Sequence, residues 1–186
     1  MSSSTGASAH RFFFALKPDA QTAHSTYAFA EAAFGPKGLL PPAQHHLTLG
    51  LTEDFPDVPD EVRSRLMRAG ASVTAAGFGL RLDRLVGGRG TLALRPSRVN
   101  PQLQDLQQRV ALAMEAVDVP MRPGWIFSPH ETLAYRSGDP FSRPVAGFDW
   151  TVAEFVLVQS RVGMREHRTI GRWPLHLPEP AQGQLL

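Results

Sequence analysis

Two four-residue segments, His46-Leu47-Thr48-Leu49 and His130-Glu131-Thr132-Leu133, repeat the pattern H-x-T-L in a chain that has seven histidines. Imidazole moves a proton at neutral pH, and a threonine hydroxyl can donate to an oxyanion. Two such pairs supply what in-line displacement at phosphorus requires. One neutral imidazole takes a proton from the attacking water, and the other, protonated, gives one to the leaving oxygen. The hydroxyls of Thr48 and Thr132 would hold the non-bridging oxygens as charge develops. That chemistry calls for no metal and no cofactor. A zinc site built from His45, His46 and His130 is the competing reading of the same residues. Adjacent residues of a strand point to opposite faces, however, and the usual ligand spacings are missing.

Short strands must carry these side chains. In a strand from His45 to Leu51, His46 and Thr48 share one face while Leu47 and Leu49 take the other, which leaves His45 in a structural place. A strand from His130 to Tyr135 repeats the arrangement. Arg11 to Leu16 reads as a buried strand, and Ala20 to Phe34 as a helix closed by Gly35-Pro36. Pro59 to Ala69 makes a second helix, with Val62, Leu66 and Ala69 on its apolar face. Phe78 to Leu85 and Thr91 to Leu94 form a hairpin about Gly87-Gly88-Arg89-Gly90, for which a turn is a simpler explanation than a phosphate cradle. Pro101 to Val117 is an amphipathic helix; Val152 to Val162 is a strand, and Arg168 to Leu175 returns beside it. Helix followed by histidine strand thus occurs in each half. The mixture, without regular alternation, predicts an α+β fold with antiparallel sheets flanked by helices around a central cleft.

Composition narrows the partners. The 186 residues, 42% hydrophobic, suit one domain, placed at residues 10–178 with flexible tails at 1–9 and 179–186. Cysteine is absent, which removes disulfides and thiolate sites. No apolar run is long enough to span a bilayer, and the Ser-rich start lacks the features of a signal peptide, so a cytoplasmic location without membrane contact is expected. Seventeen of the 19 basic residues are arginine, which suits phosphate oxygens, yet the net charge is only +2. A small phosphorylated ligand or one end of a nucleic acid fits better than a long duplex. Nothing calls for an obligate protein partner, and a monomer is expected.

The ordered set RFFFAL, HLTL, FGLRLDRL, PHETL, GFDW leading into EFVLVQS, and GRWPL resembles the two-histidine phosphoesterase superfamily. Within it, the set is most similar to the RNA 2′,3′-cyclic phosphodiesterase, or 2′-5′ RNA ligase, branch. The resemblance runs from about Arg11 to Leu177. It implies two pseudosymmetric lobes about a cleft and metal-independent opening of a 2′,3′-cyclic phosphate, on RNA termini or small cyclic nucleotides, to a 2′-phosphomonoester. His130 would be the base and His46 the acid at the departing 3′ oxygen. Ligation would be the reverse reaction, and a non-catalytic RNA-end binding module is the alternative from another class.

The second motif departs from the family pattern. Tyr135 stands where the family usually has arginine, with Arg136 one place later; a regular strand would put Arg136 on the face of His130 and Thr132, and a bulge would reverse that. Glu131 replaces an apolar residue and needs solvent, a partner or a sheet edge. Phe13 and Phe127, with Trp125, are candidates to stack on a base, against the simpler alternative that they are core. His10, His24, His167 and His176 are expected in solvent, as are Arg161 and Arg168.

Overall fold

The computed structural model describes residues 9–164 and 166–176. Three helices cover one face of an antiparallel eight-stranded sheet and leave the other face open. The strands are β1 (His10–Leu16), β2 (Leu47–Leu51), β3 (Phe78–Gly87), β4 (Leu92–Arg95), β5 (Glu131–Ala134), β6 (Phe141–Val152), β7 (Glu154–Arg161) and β8 (Glu166–Pro174). Their order, β6-β3-β4-β5-β2-β1-β7-β8, divides into two four-stranded halves. The expected sheets are therefore one. Between β5 and β2 the register holds a single pair, Leu47 opposite Glu131.

Local chemistry explains the helices. In α1 (Ala20–Phe34) the Asp19 carboxylate accepts from the Thr22 amide at 2.8 Å, and Gly35 closes the helix with φ of 75°. Helix α2 (Asp60–Ser72) has Asp60 and Glu61 in its first turn, favourable at the positive end of the helix dipole. Helix α3 (Pro101–Ala116) is capped by Asn100, with Pro101 supplying a helical φ at the first position. Leu103, Leu106, Val110 and Met114, spaced three and four apart, form its buried face. No helix among the described residues is long and apolar enough to cross a membrane.

One core lies between the helices and the sheet, built on Phe12, Phe14, Leu16, Leu47, Leu49, Leu80, Leu94 and Phe155. Gly70 lets α2 close on β8, because a Cβ there would enter the Trp173 ring. A smaller cluster on the open face, Phe13, Ala15, Val156 and Val158 with Leu51, gives the cleft an apolar floor on one side.

Several expected boundaries change; β2 and β5 begin at Leu47 and Glu131, so both motif histidines stand just before their strands. The strand predicted from Val152 to Val162 is divided at Ala153, so Val152 ends β6 and β7 begins at Glu154. Strand β6 was not foreseen in full: Pro144 and Gly147 obscure its pattern, and it lies at the sheet edge, where proline is tolerated. Of the predicted tails, residues 1–8 and 179–186 lie outside the described residues.

Candidate active site

The single pair at the join fixes the site. With Leu47 opposite Glu131, an antiparallel register continued by one residue on either side would set Thr48 across from His130 and His46 across from Thr132, and His46, Thr48 and His130 line one cavity. The histidines are then diagonal neighbours, with Cα atoms about 7–8 Å apart. That spacing leaves room for one tetrahedral phosphate between the rings.

Each imidazole is held in the same way. His46 Nδ1–H donates to the Gln44 carbonyl at 2.7 Å, and His130 Nδ1–H donates to the Ser128 carbonyl at 2.6 Å. A carbonyl only accepts, so it assigns the proton to Nδ1 and leaves Nε2 for the cleft. The cavity between them holds about 220 Å³ and is lined by His46, Thr48, His130, Phe13, Trp125 and Tyr135, among others. Thr132, opposite Ala93 in the β4–β5 register, is not among the residues that line it.

The two imidazoles differ in surroundings. His46 packs under Phe13, ring centroids 4.8 Å apart and 28° from parallel, while His167 meets it edge-on at 5.4 Å. Burial chiefly pushes its pKa down to about 4; the Gln44 carbonyl raises it, and His167, Lys17 and His130 lower it further. His46 is therefore neutral in the empty site at physiological pH. His130 is exposed at the mouth. Burial, then Lys17, also lowers the His167 pKa; the pKa of Lys17 is lowered by burial and then by Arg172.

Cations flank both histidines. Leu16 pairs with Leu47, so the next position brings Lys17 beside His46, and its Nζ donates to the Ala43 carbonyl at 2.8 Å. Leu94 pairs with Glu131, so Arg95 falls beside His130, and its guanidinium donates to the Ser128 hydroxyl. The pseudo-two-fold relation of the motifs extends to these cations.

Behind the cleft, on the helix side, the motif neighbours meet. Glu131 is 0% and His45 1% exposed. His45 Nδ1 lies 2.9 Å from Glu131 Oε1, and His45 Nε2 lies 3.1 Å from the Leu40 carbonyl. The Thr26 hydroxyl of α1 stands 3.0 Å from the same carboxylate oxygen. His45 Nε2–H can donate to the Leu40 carbonyl, and Thr26 Oγ1, 2.9 Å from His45 Nδ1 as well, links the ring to the carboxylate. His45 is the partner that Glu131 required, and the contact places it away from His46.

Several expected binding residues lie elsewhere. Arg136 is not among the residues lining the cavity: its Nη1 donates to the Phe34 carbonyl at 3.4 Å, and its guanidinium lies 5.4 Å from the Phe34 ring centre. The β4–β5 register shifts between Leu92 and Ala93, and β5 stops at the buried Ala134, so parity fails and Tyr135 faces the cleft instead. Phe127 packs against the main core, leaving Trp125 and Ile126 at the cavity. Phe13 does line it. His167 is exposed, as expected, yet it also lines the cavity as a third imidazole, placed there by the β7–β8 register, in which it opposes Ser160. Arg161 pairs with Glu166 at 3.0 Å. Among the described residues no group of three or more His, Asp or Glu side chains is arranged to hold a metal ion.

An antiparallel α+β fold whose two halves each bring a histidine and a threonine to their join is that of the two-histidine phosphoesterases. A family model described as the 2′-5′ RNA ligase superfamily matches residues 16–164, and the chain belongs to that superfamily. Among solved structures, E. coli LigT with ATP is 23% identical, with a TM-score of 0.70 over 90% of this chain and 99% of that one. LigT with 3′-AMP is 22% identical, TM-score 0.71, over 90% and 98%. TT0787 of Thermus thermophilus is 22% identical, TM-score 0.70, over 88% and 97%. No curated protein matches the chain significantly.

Proposed function

We propose that this protein is a metal-independent phosphodiesterase that opens 2′,3′-cyclic phosphates at RNA ends or on nucleotides, leaving a 2′-phosphomonoester. The observation that carries it is the His46–His130 pair, each imidazole tethered through Nδ1 to a carbonyl two residues before it and both lining one cavity. His130 Nε2 takes a proton from water as the water oxygen bonds to phosphorus. The bond from phosphorus to the 3′ oxygen breaks, and His46 Nε2–H gives its proton to that oxygen. Thr48 and Thr132 donate to the non-bridging oxygens, and Lys17 and Arg95 offset the growing negative charge from either side. Binding of ATP and 3′-AMP by LigT, a protein of this fold, accords with a nucleotide in the cleft.

An acid with a pKa of about 4 must be charged by its substrate. A phosphodiester monoanion about 4 Å from the ring contributes about 4 kcal/mol at an effective dielectric of 20, or about 3 pK units, which brings His46 near 7. His46 is thereby armed only when the anion is bound.

The test uses leaving groups. His46→Asn and His130→Asn each lower kcat/KM for a 2′,3′-cyclic nucleotide by about 10²–10⁴-fold in the presence of EDTA. A p-nitrophenyl nucleoside phosphodiester, whose leaving group needs no proton, restores most of the rate in His46→Asn and little of it in His130→Asn. Full activity of either variant on the cyclic substrate rejects the reaction. Retained binding without turnover in the parent protein leaves an RNA-end binding module, and equal rescue of both variants rejects the division of roles.

A further inference from the structure

Two arginines on the open face oppose each other without a counter-charge. Arg84 of β3 stands directly opposite Arg95 of β4. Like charges at opposed positions destabilise an antiparallel pair unless an anion lies between them to offset the repulsion, and a carboxylate could serve. None is within ion-pair distance of either among the described residues, although Arg11, Arg81, Arg109 and Arg172 each have one. The acids of β3 and its neighbour β6 are committed: Asp83 accepts from both the amide and the hydroxyl of Ser97 at 2.8 Å, and Asp149 accepts from Arg81. Among the described residues Arg84 and Arg95 donate only to the hydroxyls of Ser142 and Ser128.

Their place says which anion suits them. The β4–β5 register ends at Leu94 opposite Glu131, so the next positions, Arg95 and His130, are neighbours in its continuation, and Arg84 stands beyond Arg95 on β3. Adjacent strands lie about 4.8 Å apart, so the guanidinium pair begins one strand from the candidate base and continues away from the cavity. Along the same row in the other direction lie Thr48 and then Ala15, in the apolar cluster with Phe13 and Val158. The site thus has an aromatic, apolar side that suits a nucleobase and a basic side that suits a phosphate backbone.

Resting on the cyclic-phosphate reading, we propose that Arg84 and Arg95 form a second phosphate subsite, which binds the phosphodiester next to the reacting one. The substrate is then the 3′ end of an RNA strand rather than a free cyclic mononucleotide. Arginine pairs suit this ligand because each planar fork can bind a phosphate through two parallel hydrogen bonds.

The experiment compares a hexaribonucleotide ending in a 2′,3′-cyclic phosphate with 2′,3′-cyclic AMP, for the parent, Arg84→Gln and Arg84→Lys. The parent prefers the hexanucleotide in kcat/KM. Arg84→Gln reduces that preference at least tenfold and lowers the slope of log kcat/KM against log salt by about 0.7, the loss of one single-strand phosphate contact. Arg84→Lys keeps most of the preference. A second arm measures fluorescence anisotropy of a labelled hexanucleotide bearing a 3′-phosphate, where Arg84→Gln binds about tenfold more weakly. If neither substrate turns over, the proposed reaction fails while the binding arm still decides the subsite. Equal affinity of parent and Arg84→Gln overturns it, as does tighter binding of polyglutamate than of RNA, which would indicate an acidic protein partner.

Discussion

Replacing Glu131 by leucine tests whether the buried pair behind the cleft holds the two halves together. Glu131 and His45 are 0% and 1% exposed, so removing the carboxylate leaves His45 Nδ1 facing apolar surroundings and the Thr26 hydroxyl. Breaking one partner of such a pair costs about 3–5 kcal/mol. For a chain of this size each kcal/mol shifts Tm by roughly 2–4 °C, so a fall on the order of 10 °C is expected. Substituting His45→Leu as well removes the orphan, and the double variant recovers to within about 1 kcal/mol of the parent, as buried ion pairs replaced by apolar groups often do. The functional consequence is larger than the loss of stability suggests, because among the described residues Leu47–Glu131 is the only residue pair joining β2 to β5. In Glu131→Leu the diagonal of His46 and His130 loosens and kcat falls about tenfold while the protein remains folded; a displacement near 1 Å is enough for such losses. Urea titrations of the four proteins of the cycle, with kcat measured on each, decide the matter. A Glu131→Leu protein within about 2 °C of the parent, or a double variant no more stable than the single, refutes the reasoning.

His46 has a folded pKa of about 4, below its unfolded value of about 6.5. Between these values the unfolded chain binds more protons, so stability rises with pH from about 4 to 6.5 by up to roughly 3 kcal/mol. His46→Asn removes that part of the dependence, and an unchanged stability–pH curve in the variant would refute the shift. NMR titration is expected to find His46 near pH 4 alone and, with a bound nucleoside 2′-monophosphate, near about 7; no ligand-dependent rise would reject substrate arming. Thr48→Val and Thr132→Val each lower kcat by about 10²-fold if both hydroxyls hold the developing oxyanion, and a full rate in either removes that threonine from the role. Gly70→Ala drives a methyl group into Trp173 and destabilises by about 1–3 kcal/mol, read from the denaturant midpoint.

The chain itself determined whatever depends on neighbours along it. Helix α1 occupies the predicted residues 20–34 because Asp19 and Gly35 terminate it locally. The H-x-T-L repeats dictated that histidine and threonine share a face, since alternation is a property of one strand. Other features belonged to pairs of strands. Whether Tyr135 or Arg136 turns to the cleft depends on where β5 ends and where its ladder with β4 shifts, and a run of residues carries no record of its partner's register. The same holds for β6, whose Pro144 and Gly147 read poorly as a strand until β3 supplies its hydrogen bonds. His167 reached the cleft, and Arg84 met Arg95, through cross-strand registers alone. Glu131, an oddity beside His130 in the sequence, became intelligible when folding brought His45 to it across the one-pair join, where a buried carboxylate must find a partner or not be buried.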